Sequence, residues 1–126
     1  MHAFKLTKKE RLCSTKMIGK LFEQGSSFYI FPLKVVYLPM PLSGTHPAEV
    51  SFSVSKRSFK RAVVRNLLKR RMREAYRLYK PTFYESLPEG RQVAVMLIYT
   101  CKEVKDYQSI EKGMQRALKK LSDLLQ

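Results

Sequence analysis

The chain has 126 residues, 44% of them apolar, and 25 Lys and Arg against 10 Asp and Glu give a formal net charge of +15. That length holds one domain with a core of its own but not two, and 7 Phe with 7 Tyr exclude a disordered basic tail. So basic a balance points to nucleic acid or an anionic membrane surface. The longest apolar run, residues 93–99, falls far short of the roughly 18 residues of a membrane span, and residues 1–9 lack the apolar stretch of a signal peptide.

In chain order, residues 14–24 predict a short helix, with Ser14 at the N-cap, Ile18, Leu21 and Phe22 as its stripe, and Gly25 at the C′ position. Residues 28–31 and 33–38 predict two strands, with Pro32 marking an edge or bulge between them. Residues 39–47, PMPLSGTHP, form a turn-rich loop. Residues 49–55 alternate around Val50, Phe52 and Val54 as a half-buried strand. A long helix follows over about residues 58–79, stopped before Pro81, with residues 80–91 irregular. Residues 92–100 are almost all apolar, as the middle of a covered sheet requires. Asp106 caps a last helix with Ile110, Met114, Ala117, Leu121 and Leu124 on one side. The order α-β-β-β-α-β-α defines an α+β sandwich, a small sheet with helices packed on it, in one domain over residues 1–126.

The long helix carries most of the charge. From Lys56 to Arg77 stand ten Lys or Arg and a single acid, Glu74. Val64, Leu67, Leu68, Ala75, Leu78 and Tyr79 recur near the 3.6-residue period, and Arg61, Arg65, Asn66, Lys69, Arg70, Arg73 and Arg77 share the opposite arc. A solvated helix face normally mixes signs, because Glu and Lys at i,i+4 stabilise each other. A face this cationic repels itself unless a polyanion meets it, and Arg forks with Lys point charges suit phosphate.

The missing residues matter equally. Asp106 and Asp123 are the only Asp, the Glu are scattered, and His2 and His46 fall in loops. A protein nuclease needs clustered carboxylates for metal ions, or a His pair for acid–base work. No GxxxxGK[ST] or GxGxxG loop is present. Cys13 and Cys101, without a CxxC or HxxxH nearby, read as reduced core thiols of a cytoplasmic protein. The chain offers many phosphate ligands and no group to cleave a phosphodiester.

The stretch SVSKRSFKRAVVRNLLKRRMREAYR, residues 53–77, resembles the signature of the bacterial ribonuclease P protein subunit. In that family a strand ends in a Ser-Lys-Lys/Arg step, and a helix follows with an Arg-Asn-Arg core and a Lys-Arg-x-x-Arg-Glu continuation. Lys56, Arg57, Arg65, Asn66, Lys69, Arg70, Arg73 and Glu74 match it, and KLFEQG at residues 20–25 resembles the family's first helix and turn. The resemblance implies a ribonucleoprotein that removes the 5′ leader from precursor tRNA. It also implies a left-handed crossover from the third strand through the basic helix to the fourth, against the general right-handed rule.

On this resemblance Lys56, Arg57, Lys60, Arg61, Arg65, Asn66, Lys69, Arg70, Arg71 and Arg73 would contact the catalytic RNA, which performs the hydrolysis with Mg2+. Phe22, Val35 and Tyr37 would grip the single-stranded leader between the first helix and the sheet, since every base offers a π-face for stacking. No catalytic residue, membrane or DNA partner is implied, and metal binding by the chain itself is left open. Two departures stand out. Ile18 occupies a position where many relatives have Phe. Leu67 replaces the second Arg of Arg-Asn-Arg while Arg71, four positions on, replaces an apolar residue, as if the two had been exchanged within one patch. The alternatives are a structural ribosomal-type RNA-binding protein, a helix-turn-helix DNA regulator reading with Asn66, and a membrane-surface helix.

Overall fold

The computed structural model describes residues 10–11, 15–42 and 45–126, with the side chain of Thr15 excepted. Ser14 and Cys13, read above as an N-cap and a core thiol, lie outside these residues. The elements are α1 (Thr15–Gln24), β1 (Ser26–Ile30), β2 (Leu33–Pro39), β3 (Ala48–Val54), α2 (Ala62–Ser86), β4 (Val93–Tyr99) and α3 (Tyr107–Leu124). The strands form one mixed sheet in the order β1-β2-β4-β3. β1 pairs antiparallel with β2, and β2 with β4, while β3 runs parallel to β4 and reaches it through α2.

Strand alternation divides the apolar side chains between two layers. Leu33 and Val35 of β2, with Val50, Val95 and Leu97, face α2 and α3 and build the main core with Leu68, Met72, Tyr76, Ile110, Met114 and Leu118. Val36 of β2, with Ala94 and Met96, faces the other way and packs under Leu21 of α1. The sheet is therefore covered on both sides, which explains the unbroken apolar run of β4.

Several boundaries differ from the sequence expectation. Pro32 is neither an edge nor a bulge residue: Phe31-Pro32 is the two-residue turn of the β1–β2 hairpin, where no ladder N–H is required. Gly25 does not turn the chain left-handed. It is wedged between the carbonyls of Leu21 and Tyr37, where a Cβ would collide with both, so its value is close approach. In α3, Leu124 is exposed and Leu125 takes the buried place. Asp106 caps that helix as expected: its carboxylate accepts from the Ser109 N–H at 2.9 Å. Hydrogen bonding from the Ser109 side chain, and then from that N–H, holds its pKa below the usual carboxylate range.

The largest departure is Pro81. The basic helix does not stop before it but runs 25 residues, to Ser86. An interior proline costs about 3 kcal/mol through its missing N–H and its clash with the preceding turn. Beyond it Phe83 and Leu87 are buried, and each such side chain contributes about 1.5–3 kcal/mol. Burial outweighs the proline.

A buried polar group closes the same end of α2. Glu10, almost wholly buried, lies with Oε2 2.9 Å from Lys80 Nζ and accepts a 2.6 Å hydrogen bond from the Tyr84 hydroxyl. His46 Nδ1 stands 4.0 Å away. Burial pushes the pKa of the Tyr76 and Tyr84 hydroxyls beside it well above the ordinary tyrosine value. With a bridge between Arg11 and Val50, this group fastens the chain before α1 to β3 and to the last turns of α2.

Candidate nucleic-acid interface

α2 lies across one side of the sheet and turns a long outer face to solvent. The helix starts at Ala62 after a turn through Lys56 and Arg57, with Arg61 as an extended N-cap residue that has no side-chain cap. No acid occupies its first turn. The positive end of the helix dipole therefore adds to the charge of Lys56, Arg57, Lys60 and Arg61, all exposed.

The ten expected RNA ligands are not equivalent. Lys69, Arg70 and Arg73 surround Asn66 on the outer face, and Arg73 also lies over the Phe52 ring at 5.9 Å. Arg65 is turned back along the helix, where Nη1 donates to the carbonyls of Phe59 and Lys60 at 2.8 Å each. Those bonds shape the entrance to the helix, because they tie down the segment between β3 and α2. Arg71 points off this face: its Nη1 donates to the Lys105 carbonyl at 2.5 Å, in the segment before α3. Leu67 instead sits on the outer face beside Val63. The two departures are neighbours in the helix, but the Arg71 guanidinium serves the β4–α3 connection rather than the patch where Leu67 stands. Arg77, on the arc with the other cations, is engaged by Glu74, Nη2 to Oε1 at 2.6 Å, and that hydrogen bond holds the Glu74 pKa below its usual range. The one acid of the basic stretch is thus neutralised within the helix.

The expected leader residues separate. Phe22 on α1 is 57% exposed. Val35 is not available: it is 0% exposed in the main core, under α2 and α3. Tyr37 shares its face and sets its ring against Phe28 at 6.0 Å, on the side of the sheet away from α1. The parity of β2 is the reason. α1 packs on Val36, so residues of even number along β2 face it. On the side that α1 covers stand instead Tyr29 and Lys34, neither singled out by the sequence, paired across the hairpin and continued by Ile98 and Ser53 in one row over all four strands. Tyr29 is 55% exposed. The row lies two residues along from the Val36 row that α1 covers, about 7 Å, and β3 leads from Ser53 into Lys56 and Arg57.

Carboxylates are sparse on both surfaces. Among the described residues no three His, Cys, Asp or Glu come together as a group that could hold a metal ion, and no helix is long and apolar enough to cross a membrane.

The family model described as Ribonuclease P matches residues 6–122. The ribonuclease P protein component of Porphyromonas gingivalis is 39% identical over 119 residues, covering 91% of this chain and 85% of that protein. The protein of the same description from Chlorobium phaeobacteroides is 34% identical over 129 residues, covering 94% and 88%. Among solved structures, the ribonuclease P protein of Thermotoga maritima superposes with a TM-score of 0.69 at 22% identity, over 88% of this chain and 96% of that one. A mutant ribonuclease P protein of Staphylococcus aureus gives 0.72 at 18% identity, over 90% and 89%. These two likenesses establish the shared fold.

Proposed function

The chain belongs to the ribonuclease P protein family, the protein component of a ribonucleoprotein endoribonuclease, and from that premise we propose how its two surfaces divide the work. α2 binds the catalytic RNA through Lys69, Arg70, Arg73 and Asn66, helped by Lys56, Arg57, Lys60 and Arg61 at its N-terminal end. Arg65 holds the helix entrance and offers its remaining donors to phosphate. The single-stranded 5′ leader of precursor tRNA crosses the α1 side of the sheet, over Phe22, Tyr29 and Lys34. There the aromatic rings stack on bases without regard to sequence, and the lysine meets the backbone. The RNA supplies the hydrolytic chemistry and its Mg2+, and the ribonucleoprotein works in the cytoplasm.

One observation supports this reading most: the outer cations of α2 lack acidic partners among the described residues, whereas the lone acid of the stretch is paired with Arg77. A ribosomal-type structural role would use the same helix but gives no reason for exposed Phe22 and Tyr29 on the other side of the sheet.

Two measurements test it in the reconstituted ribonucleoprotein. Arg70→Ala should lower the salt slope of log K for the catalytic RNA by about 0.7–0.9; an unchanged slope removes α2 from the interface. Phe22→Ala and Tyr29→Ala should each weaken precursor tRNA binding by about 1–3 kcal/mol and leave mature tRNA, which has no leader, unaffected. Tyr37→Ala should act equally on both ligands, as loss of packing does. Equal losses for Phe22→Ala and Tyr29→Ala would remove the leader from this side of the sheet.

A further inference from the structure

The outer face of α2 is not uniformly polar. Val63 is 71% exposed, and Leu67 stands one turn away on the same side, so the two make an aliphatic strip about 6 Å long. They line a shallow depression whose other walls are Asn66, Lys69, Arg70 and Arg73. An apolar strip inside a cationic rim is poorly suited to phosphate alone, because a phosphate there would be desolvated against two aliphatic side chains without gaining a donor. It is equally poorly suited to an ordinary protein surface, since interface cores are depleted of Lys and rarely ringed by one sign of charge.

A nucleotide with its base unstacked fits both parts. The base has an apolar face and polar edges, and its flanking phosphates carry the charge that the rim lacks. The Asn66 amide, which has no hydrogen-bond partner among the described residues, presents a donor and an acceptor side by side. Adenine offers the complementary pair. We propose that this depression is a nucleotide subsite, holding one unstacked adenine of a single-stranded RNA segment against Val63 and Leu67. Asn66 reads its edge, and Lys69, Arg70 and Arg73 hold the neighbouring phosphates. Leu67, where the family pattern has Arg, is then a base contact and not a lost cation. The inference rests on α2 being an RNA-binding surface and adds what part of the RNA it takes.

The test uses the whole chain and two fluorescein-labelled RNA octanucleotides, uridine throughout except for a central adenosine in one and a central abasic ribose in the other. Wild-type protein should bind the adenosine oligonucleotide about tenfold more tightly, a difference of roughly 1.4 kcal/mol. The double variant Val63→Ser/Leu67→Ser should lose that difference while keeping the salt slope of binding, because no cation has been removed. Against a third octanucleotide with a central cytidine, wild-type protein should prefer adenosine and Asn66→Ala should bind the two equally. Retention of the adenosine preference in Val63→Ser/Leu67→Ser overturns the proposal, as does equal binding of both oligonucleotides by the wild type. A self-association that disappears in the double variant would assign the strip to a second copy of the chain and also overturn it. Failure of the RNA reading of α2 is separately visible, as a salt slope unchanged in Arg70→Ala.

Discussion

Glu10 and Lys80 stand 70 positions apart and meet inside the protein, with Tyr84 donating to the same carboxylate. Nothing in the sequence joins them, since each is a charged residue of the kind that is usually solvated. Their energetics follow from burial. Removing one partner leaves the other charge without compensation, at a cost of about 3–5 kcal/mol, whereas replacing both by apolar groups of similar volume is often neutral or better. Lys80→Met should therefore lower the urea unfolding free energy by about 3–5 kcal/mol, and Glu10→Leu/Lys80→Met should recover most of it. A double variant as unstable as the single would mean that the pair is needed for packing rather than for charge balance. Residue-scale reading failed in a second place for a different reason. The alternation of β2 is plain in the sequence, but which parity faces α1 depends on tertiary packing, so Val35 and Tyr37 lie on the side away from α1 and Lys34 and Tyr29 on the side that α1 covers. Phe22, read in the sequence as part of the α1 stripe with Ile18 and Leu21, lies at the exposed edge of that stripe while Leu21 alone is fully buried.

At the scale of elements, existence and order were legible, and the ends were not. Periodicity shows where an apolar face repeats but carries no information on what that face meets. The helix was expected to end at Pro81 because the local cost of proline is visible and the burial of Phe83 beyond it is not. The β1–β2 turn shows the same limit. Gly113, in the middle of α3, reads as a weak point in a helix, yet the hairpin rests on it: a Cβ there would lie 2.6 Å from Pro32 Cδ and 2.7 Å from the Phe31 carbonyl oxygen. Alanine would gain about 1 kcal/mol of helix propensity, but contacts that short against backbone force the hairpin off α3, and overpacking of this kind costs about 1–3 kcal/mol. The close approach should win. Gly113→Ala is expected to lower the unfolding free energy by up to about 2 kcal/mol net, in contrast to Gly19→Ala on α1, where open space surrounds the added methyl and stability should rise. A stabilised Gly113→Ala would show that the hairpin shifts freely over α3.

For the molecule as a whole, the surplus of charge governs both its partner and its own stability. A formal +15 on 126 residues makes the free protein repel itself, with the strain concentrated along α2, where like charges occupy successive turns. Salt screens repulsion over a Debye length of about 10 Å at 0.1 M and about 3 Å at 1 M, so added salt should stabilise the protein alone. The complex responds in the opposite sense. RNA held by phosphate contacts is released as salt rises, with a log–log slope near −0.7 to −0.9 per contact, and bound RNA stabilises the fold by about 2.7 kcal/mol when free RNA is at 100 times Kd. Six such contacts would weaken binding by about three orders of magnitude between 50 and 200 mM salt, enough to remove that whole increment. The Tm of the free protein should therefore climb with NaCl while the Tm of the protein with RNA falls, the two converging near the salt concentration at which the complex dissociates. Parallel curves would mean that the RNA is held by uncharged contacts. A free protein insensitive to salt would mean that the cations of α2 are far enough apart, or well enough paired as Arg65, Arg71 and Arg77 are, for the chain to bear its charge without a polyanion.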